Sequence, residues 1–345
     1  MLALQANFCR VRLDLPGPSG ETDLLCIRRT RLGKSGQAIC VGDRVMVDGI
    51  HWPDGRGAVA GLEPRHSLLM RPAVANVDRV VVVVALREPE LDPLQLTRFL
   101  INAEATGRPV QLVFTKADLL APEAVAAWTG RARGWGYPVR AISTRSGQGL
   151  EDLRSLLAVP GIAVLCGPSG VGKSSLLNAL LPDLALRTEA VSGRLRRGRH
   201  TTRHVELFAL PGAGGEGLLA DSPGFNRPEL PADPHTLALA FPELRRVLAV
   251  SPCRFRNCRH QGDPGCAIGT DWDRFGLYGQ CLAELEARLG AGRVRSSASG
   301  LRRRGDRLEP LLDPRLRRSS RRRLRQQGED GDGVVAELSP PGQAD

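Results

Sequence analysis

The sequence has no apolar run long enough to cross a membrane. Its longest uninterrupted run, from Val80 to Leu86, falls far short of the roughly 20 residues that span a bilayer. The start of the chain also lacks the basic residues, long apolar middle and small-residue cleavage site of a secretory signal peptide. We therefore expect a cytoplasmic protein that has no membrane partner.

The sequence also lacks the regular cysteine spacing of a disulfide framework. Of the eight cysteines, five lie singly along the chain, at positions 9, 26, 40, 166 and 281. This distribution favours reduced thiols and one metal site over disulfides.

The remaining three cysteines lie with a histidine within fourteen residues. Three thiolates and one imidazole form a closed tetrahedral set, which is typical of structural Zn²⁺. The segment is rich in Gly and Pro and cannot bury much core, so the metal would supply folding energy. The alternative is a group of cysteines without a metal. The predicted ligands are Cys253, Cys258, His260 and Cys266.

Positive charge is concentrated in one segment. The formal net charge is +11, and residues 291–327 carry thirteen arginines against three acidic residues. Such a segment indicates contact with a polyphosphate, and RNA is the expected partner. The alternative is a solvated tail without a partner, and we expect residues 291–345 to be disordered.

The pattern of the elements changes near residue 73. Before it, short β segments at 8–15, 24–29, 45–47 and 57–62 are separated by turn residues, which indicates a small barrel. After it, strands at 77–86, 110–114 and 139–142 alternate with helices that begin at Asp92-Pro93 and at Ala121. This is a doubly wound α/β pattern, in which ligands bind at the carboxyl ends of the strands.

A glycine-rich segment lies between an apolar strand at 161–165 and an apolar helix at 175–181. It matches G-x-x-x-x-G-K-[ST], whose backbone N–H groups converge on phosphate oxygens at a helix N-terminus. Lys173 would reach the β- and γ-phosphates, and the Ser174 hydroxyl would coordinate Mg²⁺. The alternative is a surface loop that matches by chance. The residues predicted to hold the phosphates are Gly167, Pro168, Ser169, Gly170, Val171, Gly172, Lys173, Ser174 and Ser175.

Two further strand ends carry residues suited to a guanine base. Asp118 follows the strand at 110–114, and its carboxylate can accept two hydrogen bonds from the guanine edge, which adenine cannot supply. Lys116 would pack along the base, and Ser143 with Thr144 would close over it. Alone, T-K-x-D is a weak signal that chance could produce; beside a phosphate loop it is strong. The predicted guanine-site residues are Thr115, Lys116, Ala117, Asp118, Ser143 and Thr144.

Two polar segments downstream complete the predicted site. Thr201 and Thr202 lie in a polar segment before the strand at 205–209, and we favour Thr202 as a Mg²⁺ ligand that senses the γ-phosphate. Asp221 follows the short strand at 218–220 and would hold Mg²⁺ through Ser174 or water. The Gly224 N–H would contact the γ-phosphate; the alternative is a plain Asp-Ser-Pro-Gly turn.

These motifs, with the guanine motifs placed before the phosphate loop, resemble those of the circularly permuted small ribosomal subunit biogenesis GTPases. The resemblance rests on G-P-S-G-V-G-K-S-S-L-L-N, G-R-H-T-T, D-S-P-G-F and the cysteine cluster, and it covers roughly residues 1–290. It implies an OB-type β-barrel over 1–72, a circularly permuted α/β P-loop GTPase domain over 73–232 and a zinc-binding helical domain over 233–290. Lys173, Thr202 and Gly224 would then be the catalytic contacts.

The same resemblance implies GTP hydrolysis, one structural Zn²⁺, Mg²⁺ bound with GTP, and a monomer. The partners would be the 30S ribosomal subunit and its 16S rRNA, with the subunit stimulating hydrolysis. Two rival hypotheses are a nucleotide-gated RNA-binding protein whose hydrolysis is incidental and a metabolic P-loop kinase. The guanine motif argues against the kinase.

The sequence departs from the family pattern at two positions. Phe225 stands where many GTPases have a glutamine that orients the attacking water, and residues 226–231 contain no histidine. His200, His204 and His235 are left as candidates for that role. Thr115 replaces the usual asparagine of the guanine motif, which is expected to weaken nucleotide affinity slightly.

Overall fold

The computed structural model describes residues 1–5, 8–28, 38–70, 73–182, 205–212, 215–221, 228–298, 301–304 and 307–310. The chain divides into two compact units, Met1–Leu285 and Glu286–Asp345. Across the described ranges, no helix is both long and apolar enough to cross a membrane.

The first unit begins with a five-stranded sheet in the spatial order β1-β2-β3-β5-β4. Its strands are β1 (Ala3–Leu4), β2 (Phe8–Arg12), β3 (Asp23–Arg28), β4 (Val45–His51) and β5 (Arg56–Leu62). Strands β3 and β5 are parallel, and the other pairs are antiparallel. Alternate residues of β2 and β3, such as Cys9 and Leu24, are buried together. The four predicted β segments are confirmed, whereas closure into an OB-type barrel stays a prediction.

A second, six-stranded sheet follows a short hairpin of β6 (Leu68–Met70) and β7 (Ala73–Ala75). Its strands are β8 (Val77–Ala85), β9 (Val110–Thr115), β10 (Val139–Ala141), β11 (Gly161–Cys166), β12 (Leu207–Gly212) and β13 (Gly215–Asp221). The spatial order is β10-β9-β8-β11-β13-β12. All pairs are parallel except β12 with β13.

The described helices lie between and after these strands. They are α1 (Pro93–Glu104), α2 (Pro122–Trp135), α3 (Leu150–Leu157), α4 (Lys173–Leu180), α5 (Pro234–Leu239), α6 (Pro242–Val250) and α7 (Phe275–Ala298). The predicted cap of α1 is confirmed, because the Asp92 carboxylate accepts a 2.9 Å hydrogen bond from the Leu94 N–H.

Both faces of the central strand β8 are covered, which explains its unbroken run of valines. Val80 and Val82 pack in one cluster with Phe99 of α1, whereas Val81 and Val83 pack in another with α3 and α4. Successive side chains of a strand point to opposite faces. Each fully buried valine contributes about 1.5–3 kcal/mol to stability.

The connections leave the centre of this sheet in opposite directions. From β8 the chain moves outward through β9 and β10 on one side. After β11 it continues on the other side, to the edge strand β12 and then back to β13, which lies between β11 and β12. The carboxyl ends of β8 and β11 therefore flank the topological switch point, where doubly wound sheets bind their ligands.

A buried arginine joins the helices after residue 233 to the α/β core. Arg274 is 0% exposed, and its guanidinium lies 4.7 Å from the ring centroids of both Trp135 and Phe241. It donates two hydrogen bonds, of 2.8 and 2.5 Å, to the carboxylate of Glu243. Pairing and aromatic contact together compensate for removing this charge from water.

Several predicted boundaries differ in the structure. Strand β2 ends at Arg12 rather than at 15, and β4 continues to His51 rather than ending at 47. Strand β12 runs over Leu207–Gly212 rather than 205–209, and β13 begins at Gly215 rather than 218, because the two strands pair as far as Gly212 and Gly215. Helix α7 continues to Ala298, where disorder was expected from residue 291; arginine is a good helix former. Two further strands, β14 (Leu301–Arg304) and β15 (Arg307–Pro310), pair antiparallel, and residues 311–345 lie outside the described ranges.

Strand β13 passes close to the end of α3 at Gly217. A methyl group at Gly217 would lie 1.9 Å from the Leu157 carbonyl oxygen. The Gly217→Ala substitution should therefore lower the free energy of unfolding by about 1–3 kcal/mol, because the backbone must move. Urea denaturation of the full chain measures the change.

Gly130→Ala is the matched control, since an added methyl group on this exposed residue of α2 would have nothing within 4 Å. It should raise the free energy of unfolding by about 0.5–1 kcal/mol through helix propensity. Equal effects of the two substitutions would contradict the close approach at Gly217.

Candidate functional site

The phosphate-loop segment lies between the end of β11 and the start of α4, at the switch point. Gly167 has a φ of +145°, and a methyl group there would lie 1.9 Å from the Val83 carbonyl oxygen. Gly170 and Gly172 also have positive φ values, of 79° and 94°. The loop can follow this path only with glycine, and it leaves the N-terminus of α4 facing the crevice.

The Lys173 side chain folds back over its own loop. Its ammonium group donates hydrogen bonds of 2.8 Å to the Gly167 carbonyl and 2.6 Å to the Pro168 carbonyl. Ser169, Ser174 and Ser175 are exposed. A positive charge, a helix N-terminus and exposed hydroxyl groups thus share one short segment, and such a segment suits an anion.

The residues after β9 lie directly beside this loop. The Lys116 ammonium donates a hydrogen bond of 3.2 Å to the Gly170 carbonyl and a second one to the Glu88 carbonyl. Asp118 lies exposed in the 3₁₀ turn Ala117–Leu119. Its carboxylate is therefore accessible to a ligand at the same edge of the sheet as the phosphate loop.

The loop after β10 is fixed against the same edge. The Ala117 N–H donates a 3.1 Å hydrogen bond to the Ile142 carbonyl, which links the two loops. Ser143 is buried, and its hydroxyl oxygen accepts hydrogen bonds from the N–H groups of Arg145 and Ser146 at 3.2 and 3.1 Å. Thr144 is half-buried. The Ser143 hydroxyl therefore shapes its own loop.

The predicted Mg²⁺ ligands are only partly described. Asp221 is the last residue of β13, and its backbone pairs with Leu165 of β11. This register places Asp221 at the end of β13, directly beside β11, the strand that leads into the phosphate loop. The structure also describes His235, which is exposed at the start of α5. The predicted residues outside the described ranges are Thr201, Thr202, Gly224, Phe225, His200 and His204.

The predicted metal ligands converge on one point. The ligand atoms of Cys253, Cys258, His260 and Cys266 all lie within 4.8 Å of one another. The Cys253 and Cys266 sulfurs are 3.9 Å apart, and they lie 3.4 and 3.7 Å from the His260 Nδ1. A tetrahedral zinc site with normal bond lengths has sulfur–sulfur and sulfur–nitrogen separations of about 3.8 and 3.5 Å.

Backbone donors and burial complete this cluster. The N–H groups of Ala267 and Ile268 donate to the sulfurs of Cys253 and Cys266 at 3.2 and 3.4 Å, an arrangement that stabilises thiolates. Burial lowers the pKa of His260, which keeps the imidazole neutral and able to bind a metal. The residues therefore fit a divalent cation.

The loop that carries the four predicted ligands, residues 253–266, is here called the metal loop. One hydrogen bond that holds it in place could not be predicted from the sequence. The hydroxyl group of Tyr278, on α7, donates a 2.9 Å hydrogen bond to the Arg259 carbonyl, next to the ligand His260. Tyr278 is fully buried. Only the folded arrangement of α7 against the loop brings these two residues together.

Comparison with known proteins identifies the family. Residues 62–231 match the RsgA GTPase family. A small ribosomal subunit biogenesis GTPase RsgA from Synechococcus sp. (strain CC9605) is 55% identical over 284 residues, covering 82% of this chain and 92% of that protein. The chain belongs to the RsgA GTPase family. An RsgA protein from Thermosynechococcus vestitus is 47% identical over 330 residues, covering 94% and 93% of the two chains.

Two solved structures share the fold. YjeQ from Thermotoga maritima superimposes with a TM-score of 0.67 at 29% identity, covering 83% of this chain and 97% of that one. YloQ, described as a circularly permuted GTPase, gives 0.66 at 28% identity, covering 83% and 94%. The predicted enzyme class and the permuted α/β core are thereby confirmed.

The cluster of Cys253, Cys258, His260 and Cys266 gives a direct prediction. Cys266→Ala removes one of the four ligands, so the bound metal should fall from about one ion per chain to nearly none, and thermal stability should fall with it. Elemental analysis of the purified full chain measures the metal. Cys281→Ala is the control, because Cys281 is buried in α7 and is not one of the cluster residues. A Cys266→Ala protein that keeps its metal would disprove the assignment.

Proposed function

We propose that this chain hydrolyses GTP to GDP and phosphate during assembly of the small ribosomal subunit. The observation that supports the chemistry best is a contact at the switch point of the sheet. It joins the phosphate loop to the segment after β9 that carries Lys116 and Asp118, here called the guanine loop. The Lys116 ammonium group donates a 3.2 Å hydrogen bond to the Gly170 carbonyl. One nucleotide could therefore contact both loops at once.

Within this proposal, Lys173 and the loop N–H groups hold the β- and γ-phosphates and stabilise the charge that develops during transfer. Ser174, Thr202 and Asp221 would hold Mg²⁺, which would neutralise phosphate charge. The Gly224 N–H would contact the γ-phosphate. Attack of water on the γ-phosphorus breaks its bond to the bridging oxygen, and GDP leaves.

Base selection follows from the exposed carboxylate of Asp118. Guanine offers two N–H donors to a carboxylate, and adenine does not. An ATP molecule would leave that carboxylate unpaired within the site, so discrimination against ATP is strong.

The cluster of Cys253, Cys258, His260 and Cys266 would hold one zinc ion in a structural role. Its four ligands are all supplied by the protein, so no coordination position is left for a substrate. The metal would stabilise a loop of small and polar residues. The hydrogen bond from Tyr278 would connect that loop to α7.

The proposed partners are the 30S subunit and its 16S rRNA. Two similar proteins from Synechococcus strains, 55% and 53% identical to this chain, are named small ribosomal subunit biogenesis GTPases. The five-stranded sheet at 1–62, as an OB-type barrel, and the arginine-rich segment at 291–327 would supply surfaces for RNA. The chain would act as a monomer in the cytoplasm.

Hydrolysis should be slow without the subunit. Phe225 has no polar group that could orient water, so a group supplied or positioned by the bound subunit completes the site. Hydrolysis would then release the loops that the γ-phosphate had ordered, and the GDP form would leave the subunit.

The test is GTP turnover by the purified chain, alone and with isolated 30S subunits. We expect 30S subunits to raise the rate at least about tenfold, which corresponds to a barrier lowered by about 1.4 kcal/mol. Matched reactions with 50S subunits and with ATP should show no such rise, and Lys173→Ala should abolish turnover. Fast turnover without subunits, or stimulation by any RNA, would contradict the proposal.

A further inference from the structure

The end of β9 makes a contact that base recognition does not require. The Thr115 hydroxyl lies 2.6 Å from the Val171 carbonyl oxygen, in the phosphate loop, and 3.3 Å from the Val84 carbonyl oxygen. A hydroxyl group has a single proton to donate. The shorter contact identifies Val171 as the acceptor.

This hydrogen bond lies inside the protein. Thr115 is 2% exposed and Val171 is 1% exposed, so water does not compete for either group. A ligand approaching from the crevice cannot reach the hydroxyl without opening the loop. Removing the donor would leave a buried carbonyl without this partner, which is costly in a low-dielectric interior.

The neighbouring residue holds the next carbonyl of the same loop. Thr115 donates to Val171, and Lys116 donates to Gly170 at 3.2 Å. Consecutive residues of the guanine loop thus fix consecutive peptide groups of the phosphate loop. The position of the phosphate loop depends on the end of β9.

We infer that Thr115 is a positioning residue. Its hydroxyl group holds the phosphate loop against the end of β9 through the hydrogen bond to Val171, and it makes no bond to the base. The inference rests on the nucleotide site proposed above. It leaves base selection to Asp118 rather than to residue 115, and it means that the N7 acceptor of guanine is not read by residue 115.

Asparagine, the usual residue of this motif, differs in one chemical respect. Its amide group carries two N–H donors, whereas the threonine hydroxyl carries one. Asparagine could keep the bond to Val171 and direct a second donor to the N7 and O6 edge of guanine, where both atoms are acceptors. Threonine can serve only one of these partners.

Equilibrium competition against a fluorescent GDP tests the inference on the full chain. The probes are GTP and 7-deaza-GTP, which lacks the N7 acceptor. The wild-type protein should bind the two nucleotides within about twofold of each other. Thr115→Val should weaken both by the same factor, about tenfold, because the tether is lost. Thr115→Ser should bind like the wild type.

The Thr115→Asn variant tests whether a second donor at this position creates recognition of N7. It should bind GTP more tightly than 7-deaza-GTP, because its second donor has an acceptor only in GTP.

A wild-type preference for GTP over 7-deaza-GTP that disappears in Thr115→Val would overturn the inference, since the hydroxyl would then contact the base. Wild-type affinity in Thr115→Val would also overturn it, since no tether would exist. If Thr115→Val does not fold, the wild-type and Thr115→Ser ratios still decide whether N7 is read. Failure of the nucleotide site itself would look different, because the wild type would bind neither nucleotide.

Discussion

The close approach of the phosphate loop to strand β8 is the constraint on which the rest of the site depends. The loop leaves β11 at Gly167, where the Val83 carbonyl leaves no room for a side chain. Because β8 is buried on both faces between helices, its carbonyl cannot move away. The direction of the loop, the start of α4 at Lys173 and the distance to the guanine loop all follow from this contact.

A parallel sheet makes the chain order of these parts unimportant. The guanine loops follow β9 and β10, and the phosphate loop follows β11 later in the chain, but all three lie at carboxyl strand ends. Hydrogen bonds between the loops, such as that from Ala117 to Ile142, depend only on which strands are neighbours. Circular permutation changes the connections and leaves the edge of the sheet unchanged.

Local spacing in the sequence predicted much of this molecule. The phosphate-loop glycines, the cluster of three cysteines and one histidine, and the valines of β8 are short-range patterns, and each occurs where the pattern indicated. Contacts between distant residues could not be read in this way. The bond from Thr115 to Val171 joins residues 56 positions apart, and the burial of Arg274 depends on rings from two other segments. The extra length of β13 and α7 likewise comes from pairing and propensity that no motif marks.

The buried guanidinium of Arg274 has a mechanical consequence. The guanidinium, paired with Glu243, lies against the ring of Trp135, the last residue of α2, and the ring of Phe241, directly before α6. Separating these segments would leave a charge without compensation inside the protein, at a cost of about 3–5 kcal/mol. Helix α2 and the start of α6 therefore separate only if this ion pair is broken as well.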